Sequence, residues 1–115
     1  MTEKEHSIFI KHILEAIKES EKSLENLSSE FLKDIYKRAA AVRRIEIVGE
    51  AVKNLPADFK DKYTEIPWKN IVGTRDKLIH QYFGVDWDII WEILKIGFPD
   101  LKKQLKTLLN KEKNA

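Results

Sequence analysis

Apolar residues recur every three or four positions along almost all of this 115-residue chain, and no stretch alternates long enough to suggest a β-strand. This spacing predicts an all-α protein. At this length we expect a single domain, residues 1–115, with enough core to fold without disulfides or a structural metal. The three prolines divide the pattern into segments, because proline interrupts a helix interior. The chain is therefore expected to form an up-and-down bundle of four or five helices.

The first two helices are predicted in the N-terminal half. The first runs to about Asn26. Ser28 or Ser29 is the expected N-cap of the second, which is about 25 residues long and ends before Pro56. Helical spacing places the following residues on its inward face: Phe31, Ile35, Ala39, Val42, Ile45, Val48, Gly49 and Val52.

Prolines and capping residues organise the C-terminal half. The segment from Pro56 to Pro67 predicts a loop with one short helical turn, and Pro67 suits the first position of the third main helix. That helix is expected to end near Gly84, and Asp86 can cap the last one. Because Pro99 lacks a backbone N–H, the last helix should be kinked or broken there.

Composition limits where the chain acts and what it binds. It has no Cys, which excludes disulfides and thiolate chemistry and suits a reducing compartment. No apolar run approaches the roughly 18 residues that span a bilayer, so we expect a soluble, cytoplasmic protein. The net charge is only +2, so a nucleic-acid partner must be held by local basic clusters. The candidates are Lys37, Arg38, Arg43, Arg44, Lys69, Arg75 and Lys77, and the tail KKQLKTLLNKEK is also basic. The alternative for each run is a solvated helix face with Glu–Lys pairs, which is favoured for the tail.

Several classes of site are absent from the sequence. His6, His12 and His80 are the only histidines, and their spacing is not that of a helical metal site. The four glycines are scattered singly, so there is no glycine-rich phosphate loop, and no serine lies in a nucleophile elbow. We therefore expect neither a metal nor another cofactor.

The stretch RDKLIHQYFG departs from ordinary helix composition, because Arg75 lies within an apolar helical face. Arg75 and Tyr82 are seven residues apart and project from one face, whereas Asp76 and His80 are neighbours at i, i+4. Asp76 can accept a hydrogen bond from the imidazole and orient it. Arg75 and His80, however, lie about 140° apart around a regular helix and about 7.5 Å apart along it.

This separation leaves two ways to bring Arg75 and His80 to one phosphate. Either the helix is distorted near His80, or two copies meet so that both pairs line a shared cleft. The chemistry that fits is metal-free RNA cleavage, in which His80 moves a proton and Arg75 stabilises charge on the phosphate. Because such a reaction needs a 2′-hydroxyl, it acts on RNA and not on DNA.

A structural reading of the same residues is favoured on their chemistry alone. Arg75 can pair with Glu46 or Glu50, which lie one turn apart on the second helix. A lone histidine on a helix is mostly structural or exposed, and Tyr82 beside Phe83 fits core packing. The three tryptophans are better explained as core or interface anchors than as base-stacking platforms: Trp68, Trp87 and Trp91.

The sequence nevertheless resembles a known family. RDKLIHQY, residues 75–82, resembles the Arg-x4-His-x-Tyr motif of the HepT-like toxins in the HEPN superfamily. The family's long second helix is resembled by RRIEIVGEAVKNLP, and the segment around its motif by EIPWKNIVGTRDKLIHQYFGVD. Its last helix is resembled by WEILKIGFPDLKKQL. The resemblance covers most of the chain beyond about residue 36, and it implies a HEPN-like helical fold.

The resemblance also implies an activity and partners. Arg75 and His80 match the pair that lines the RNA-cleaving cleft of a homodimer, and Asp76 matches a supporting polar position that is Asn or Asp. Tyr82 matches the tyrosine to which a minimal nucleotidyltransferase antitoxin transfers AMP from ATP. The family thus implies the ribonuclease toxin of a type VII-like toxin–antitoxin pair, with transfer RNA as one substrate. The alternative is a non-catalytic helical dimer that binds nucleotide or docks the transferase.

Overall fold

The computed structural model describes residues 3–23, 33–80, 84 and 86–114, and these residues contain helices and no strand. The expected all-α bundle is confirmed. In chain order the helices are α1 (Glu3–Ser23), α2 (Ile35–Lys53), α3 (Ala57–Asp61), α4 (Trp68–His80), α5 (Trp87–Glu92), a π-helix (Ile93–Gly97) and α6 (Phe98–Lys113).

The core lies between α1, α2, α4 and α6. Helix α2 packs against both α1 and α4, and α1 also packs against α6. Each helix contributes apolar residues three or four positions apart, and burying each side chain stabilises the fold by about 1.5–3 kcal/mol. The most completely buried side chains include Ile10, Ile13, Ile17, Val48, Val52, Leu105 and Leu108.

Helix α2 begins later than the sequence predicted. Its N-cap is Asp34, whose carboxylate accepts hydrogen bonds from the backbone N–H groups of Tyr36 and Lys37. The prediction of Ser28 or Ser29 as the cap was therefore wrong, and those serines lie outside the described residues. The helix has 19 residues and ends at Lys53, before Pro56 as expected.

The prediction of the inward face of α2 is confirmed only from Val42 onward. Ile35 is 65% exposed and Ala39 is also exposed, because the first turns of α2 extend beyond the core. Phe31 lies outside the described residues. The remaining predicted positions are buried: Val42, Ile45, Val48, Gly49 and Val52.

The connection between α2 and α4 contains the single short helical turn that the sequence predicted, α3. Phe59 of α3 is buried, and its ring lies 4.4 Å from that of His6 on α1. The buried indole of Trp68 donates to the carbonyl oxygens of Lys60, at 3.1 Å, and Tyr63, at 3.0 Å. Pro67 lies one position before α4, and its carbonyl accepts from Ile71 N–H. These bonds fix where α4 begins.

The predicted irregularity near Pro99 is a π-helix that links α5 to α6. The N–H of Phe98 donates to the carbonyl of Ile93, five residues earlier, instead of four. Pro99 follows in the first turn of α6, where its missing N–H is tolerated. The chain stays helical from Trp87 through Lys113, so the helix is not broken at Pro99, and the change of winding precedes the proline.

None of the described helices combines the length and the apolar composition that a bilayer-spanning helix needs.

Candidate functional site

Arg75 lies where α4 crosses closest to α2. A Cβ atom added to Gly49 would lie 2.3 Å from the Cβ of Arg75 and 2.6 Å from its Cγ. Both distances are far below ordinary carbon contacts, so only glycine allows the Arg75 side chain to pass over α2 here. Gly49 is buried beneath it.

Two carboxylates hold the guanidinium of Arg75. Its Nη2 atom lies 2.5 Å from Oε2 of Glu50, and its Nη1 atom lies 2.9 Å from Oδ1 of Asp76. The Arg75 side chain is 20% exposed, whereas those of Glu50 and Asp76 are 50% and 42% exposed. The guanidinium therefore lies at the edge of the helix pair, with its aliphatic stem covered and its charged end next to solvent.

The third nitrogen of Arg75 has no matching acceptor. Its Nε is buried and forms no hydrogen bond with any of the residues that the structure describes. An unsatisfied buried donor costs about 1–3 kcal/mol, so this arrangement is not the one that stability alone would favour.

The structure distinguishes between the two glutamates proposed as partners of Arg75. Glu50 forms the ion pair, whereas Glu46 lies 3.5 Å from Arg43 on its own helix. The structural reading is thus met in one respect, because Arg75 has an intrachain salt bridge. The pair is not deeply buried, however, and so the salt bridge leaves the guanidinium accessible.

His80 ends α4, and α4 is a continuous α-helix from Trp68 through His80. The described part of α4 thus shows no distortion before His80, and the pairing of two copies stays a prediction. The His80 side chain and the whole of Tyr82 lie outside the described residues. The predicted contact of Asp76 with His80 stays a prediction, although Arg75 already engages the Asp76 carboxylate.

The described residues contain no group of three or more His, Asp or Glu side chains arranged to hold a metal ion.

A family comparison identifies the group of proteins that shares this chain's sequence. The model of the family described as "Ribonuclease HepT-like" matches residues 13–108, which include Gly49, Glu50 and the whole of α4. This chain belongs to the HepT-like ribonuclease family.

Individual relatives agree with the family match. A protein of Caldanaerobacter subterraneus subsp. tengcongensis named "Putative RNase" is 48% identical over 106 residues, covering 91% of this chain and 95% of the relative. A "Probable ribonuclease HepT" of Thermococcus cleftensis is 42% identical over 104 residues, covering 90% and 94%. A "Gamma-glutamylcyclotransferase and putative RNase" of Methanocaldococcus jannaschii is 42% identical over 115 residues, covering 96% of this chain but 52% of that protein. No solved structure matches.

Gly49 is the residue of this HepT-like site that the sequence analysis missed. It was assigned only to the inward face of α2. The signal was present, because glycine inside a long helix costs about 0.5–1 kcal/mol relative to alanine and needs a packing reason. The reason is the Arg75 side chain, which the sequence alone does not place against α2.

The tryptophans of the HepT-like chain are engaged within the bundle. Trp68 is buried and hydrogen-bonded, as a core anchor should be. Arg38 lies over the ring of Trp87, 5.0 Å from its centroid, and Lys95 lies 5.3 Å from the centroid of Trp91. These contacts agree with the structural role that was favoured for all three tryptophans, because each ring has a partner in the chain.

Proposed function

We propose that this chain is a metal-independent endoribonuclease and the toxin of a toxin–antitoxin pair. Its family membership and the Arg-x4-His-x-Tyr motif support this assignment. The observation that carries it is the position of Arg75, whose stem is clamped over Gly49 while its guanidinium reaches the edge of the helix pair. A clamped arginine whose two terminal nitrogens are held by partly exposed carboxylates can exchange one of them for phosphate.

The proposed reaction uses the neighbouring ribose as the nucleophile. The 2′-oxygen attacks phosphorus, the bond from phosphorus to the 5′-oxygen breaks, and a 2′,3′-cyclic phosphate forms. His80 of one copy takes the 2′ proton, and His80 of the other copy delivers a proton to the leaving 5′-oxygen. Arg75 stabilises the additional charge on the phosphate oxygens.

The ion pairs of Arg75 are compatible with this role. Glu50 and Asp76 are both partly exposed, and such pairs contribute only about 0–1 kcal/mol each. A phosphate can therefore displace the Glu50 carboxylate at little energetic cost. The pairs would keep the guanidinium oriented until RNA arrives.

The proposal requires a homodimer. The positions of Arg75 and His80 lie about 140° apart around a regular helix, so a single copy would not be expected to aim both at one phosphate. Two copies related by a two-fold axis would place a pair of each residue around a shared cleft.

Tyr82 is proposed as the regulatory position. A nucleotidyltransferase antitoxin would attach AMP through the tyrosine hydroxyl and release pyrophosphate from ATP. On a helix that continued past His80, Tyr82 would share the face of Arg75, seven residues earlier, and the added phosphate would lie beside the guanidinium. It would compete with RNA for the guanidinium and repel the backbone electrostatically.

Cleavage in the presence of EDTA tests the activity. We expect the purified protein to cut single-stranded RNA but not DNA, and His80→Ala to abolish cutting while native mass spectrometry still shows a dimer. Intact mass after incubation with the antitoxin and ATP should rise by whole AMP units, and Tyr82→Phe should prevent the increase. RNA that survives incubation with unmodified dimer would refute the nuclease assignment.

A second candidate is favoured by the engagement of Arg75 with two carboxylates. Under this reading the chain is a non-catalytic dimer that binds nucleotide or docks the transferase, and Arg75 holds α2 against α4. RNA would then remain intact, and His80→Ala would leave partner binding unchanged.

A further inference from the structure

A groove with a volume of 480 Å³ lies where α4 meets α3 and the end of α2. Its floor is apolar and its rim is charged. Three lysines and two aspartates line the rim: Lys53, Lys60, Lys69, Asp61 and Asp76. The nuclease mechanism uses none of the lysines, so their arrangement needs a separate account.

The groove lies next to the guanidinium of Arg75, which contacts the lining residue Asp76 but is not part of the lining itself. Asp76 belongs to the groove lining, and its Oδ1 atom lies 2.9 Å from Nη1 of Arg75. Lys69 precedes Arg75 by six residues on α4, which corresponds to about 9 Å along the helix axis. Lys53 follows Glu50, the other partner of Arg75, by three residues on α2. Around the axis Lys69 lies about 120° from Arg75 and on the same face as Asp76. A strand bound at Arg75 would therefore have to pass Asp76 to meet these lysines, within roughly one to three nucleotides.

Lys53 and Lys69 give the groove a small excess of positive charge, because its three lysines outnumber its two aspartates. Both are exposed, and neither forms an ion pair within the described part of the chain. The carboxylates of Glu50 and Asp76 are engaged by Arg75 instead. Lys60 differs, because its Nζ lies 3.4 Å from the carbonyl oxygen of Val52.

Gly73 leaves one wall of the groove open. Apart from its chain neighbours and the backbone of α4 itself, no atom of the described residues lies within 4 Å of the position that a Cβ atom would occupy there. The backbone of α4 is thus accessible between Lys69 and Asp76, which gives space for a sugar or phosphate next to the lysines. Trp68 borders the groove, but its ring is buried and not available for base stacking.

We propose that this groove, which we call the Lys53–Lys69 groove, binds the phosphodiester backbone of single-stranded RNA beside the phosphate that is cleaved. The inference rests on the proposed ribonuclease function and extends it to the path of the substrate. Because the contacts come from flexible ammonium groups and an open helix wall, the groove reads backbone charge and not base identity.

Binding of an uncleavable RNA tests the groove separately from catalysis. A 2′-O-methylated single strand of about 12 nucleotides suits the purpose, since it lacks the attacking hydroxyl. Its affinity is measured by fluorescence anisotropy over a range of salt concentrations. The variants are Lys53→Glu with Lys69→Glu, and, as a control with the same change in net charge, Lys103→Glu with Lys111→Glu on the exposed side of α6.

The groove variant should bind RNA roughly tenfold more weakly at low salt. A plot of the logarithm of the binding constant against the logarithm of the salt concentration should become less steep by about 1.4, the value for two phosphate contacts. The control should change affinity less than twofold. If both variants lost RNA affinity equally while the unaltered protein still cleaved RNA, the groove proposal would be overturned and the nuclease proposal would stand. If the unaltered protein neither binds nor cuts RNA, both proposals fail.

A steric variant tests the same groove without changing charge. Gly73→Leu should fold normally, because leucine favours helix and meets no neighbouring atom at its Cβ. Its side chain should obstruct the groove and weaken binding several-fold with the salt slope unchanged. Affinity equal to that of the unaltered protein would exclude the groove as the path of RNA.

Discussion

Gly49→Ala tests the close approach of α2 and α4 that positions Arg75. The new Cβ would lie 2.3 Å from the Cβ of Arg75. Carbon atoms in contact are about 3.5–4.0 Å apart, so the helices must separate by roughly 1.2–1.7 Å. The partner atoms belong to the stem of Arg75 next to its backbone, and rotation of the side chain does not move its Cβ.

The expected loss of stability follows from two opposing terms. Overpacking a tight contact costs about 1–3 kcal/mol, and replacing an interior helical glycine by alanine returns about 0.5–1 kcal/mol. The free energy of unfolding should therefore fall by up to about 2.5 kcal/mol. The melting temperature should drop by about 4 °C for each kcal/mol in a protein of this size.

RNA cleavage should respond more strongly than stability. A displacement of about 1 Å in a positioning element can lower a rate about 100-fold, so activity should fall by one to two orders of magnitude even where the protein remains folded. Urea denaturation followed by circular dichroism measures the first effect, and cleavage of a labelled RNA at a temperature well below melting measures the second.

Gly73→Ala is the matched control for stability. Gly73 is also an interior glycine of a helix, but no atom lies within 4 Å of its Cβ position. The same substitution should raise the free energy of unfolding by about 0.5–1 kcal/mol there. Changes of opposite sign in the free energy of unfolding at the two glycines would support the close approach of α2 and α4. If Gly49→Ala stabilised the protein as Gly73→Ala does, Arg75 would not be packed on α2 as the structure has it.

Three further substitutions test separate contacts. Glu50→Gln should bind RNA about two- to fivefold more tightly at low salt, because the carboxylate that competes for Arg75 loses its charge; weaker binding by anisotropy would show that Glu50 is needed to orient the guanidinium. Asp34→Ala should lower the free energy of unfolding by about 1 kcal/mol, because α2 loses its N-cap. Asp34→Asn should retain most of that stability, because asparagine also caps helices. Trp68→Phe should cost about 1–3 kcal/mol by removing the donor shared by two carbonyls, and an unchanged urea midpoint would contradict those hydrogen bonds.

Helical periodicity predicted the fold well where helices pack on the core. Val48 and Val52 are buried as the spacing required, because α2 contacts both α1 and α4 in that half. The start of α2 was wrong because Ser28 and Asp34 are both good capping residues. The apolar side chain of Ile35 extended the pattern beyond the core, although Ile35 is exposed. Periodicity alone does not show where a helix leaves its neighbours.

The sequence predicted the composition of the site more fully than its geometry. It identified Arg75 as anomalous and reduced its intrachain partners to two glutamates one turn apart. Glu46 and Glu50 differ by only about 40° in direction, so the choice between them depended on the crossing of α2 and α4. The proposed arrangement of two copies would be a property of their interface, and the pattern within one chain does not specify it.

The π-helix has a consequence for how the C-terminal segment can vary in length. On regular helix a step of four residues overshoots one revolution by about 40°, so Ile90, Leu94 and Phe98 would drift away from the core. All three are buried, because the wider turn absorbs the surplus. The segment thus contains one residue more than uniform winding requires. Deleting one residue within Ile93–Gly97 should keep the phase of α6, whereas the same deletion in the middle of α6 would rotate everything beyond it by about 100°.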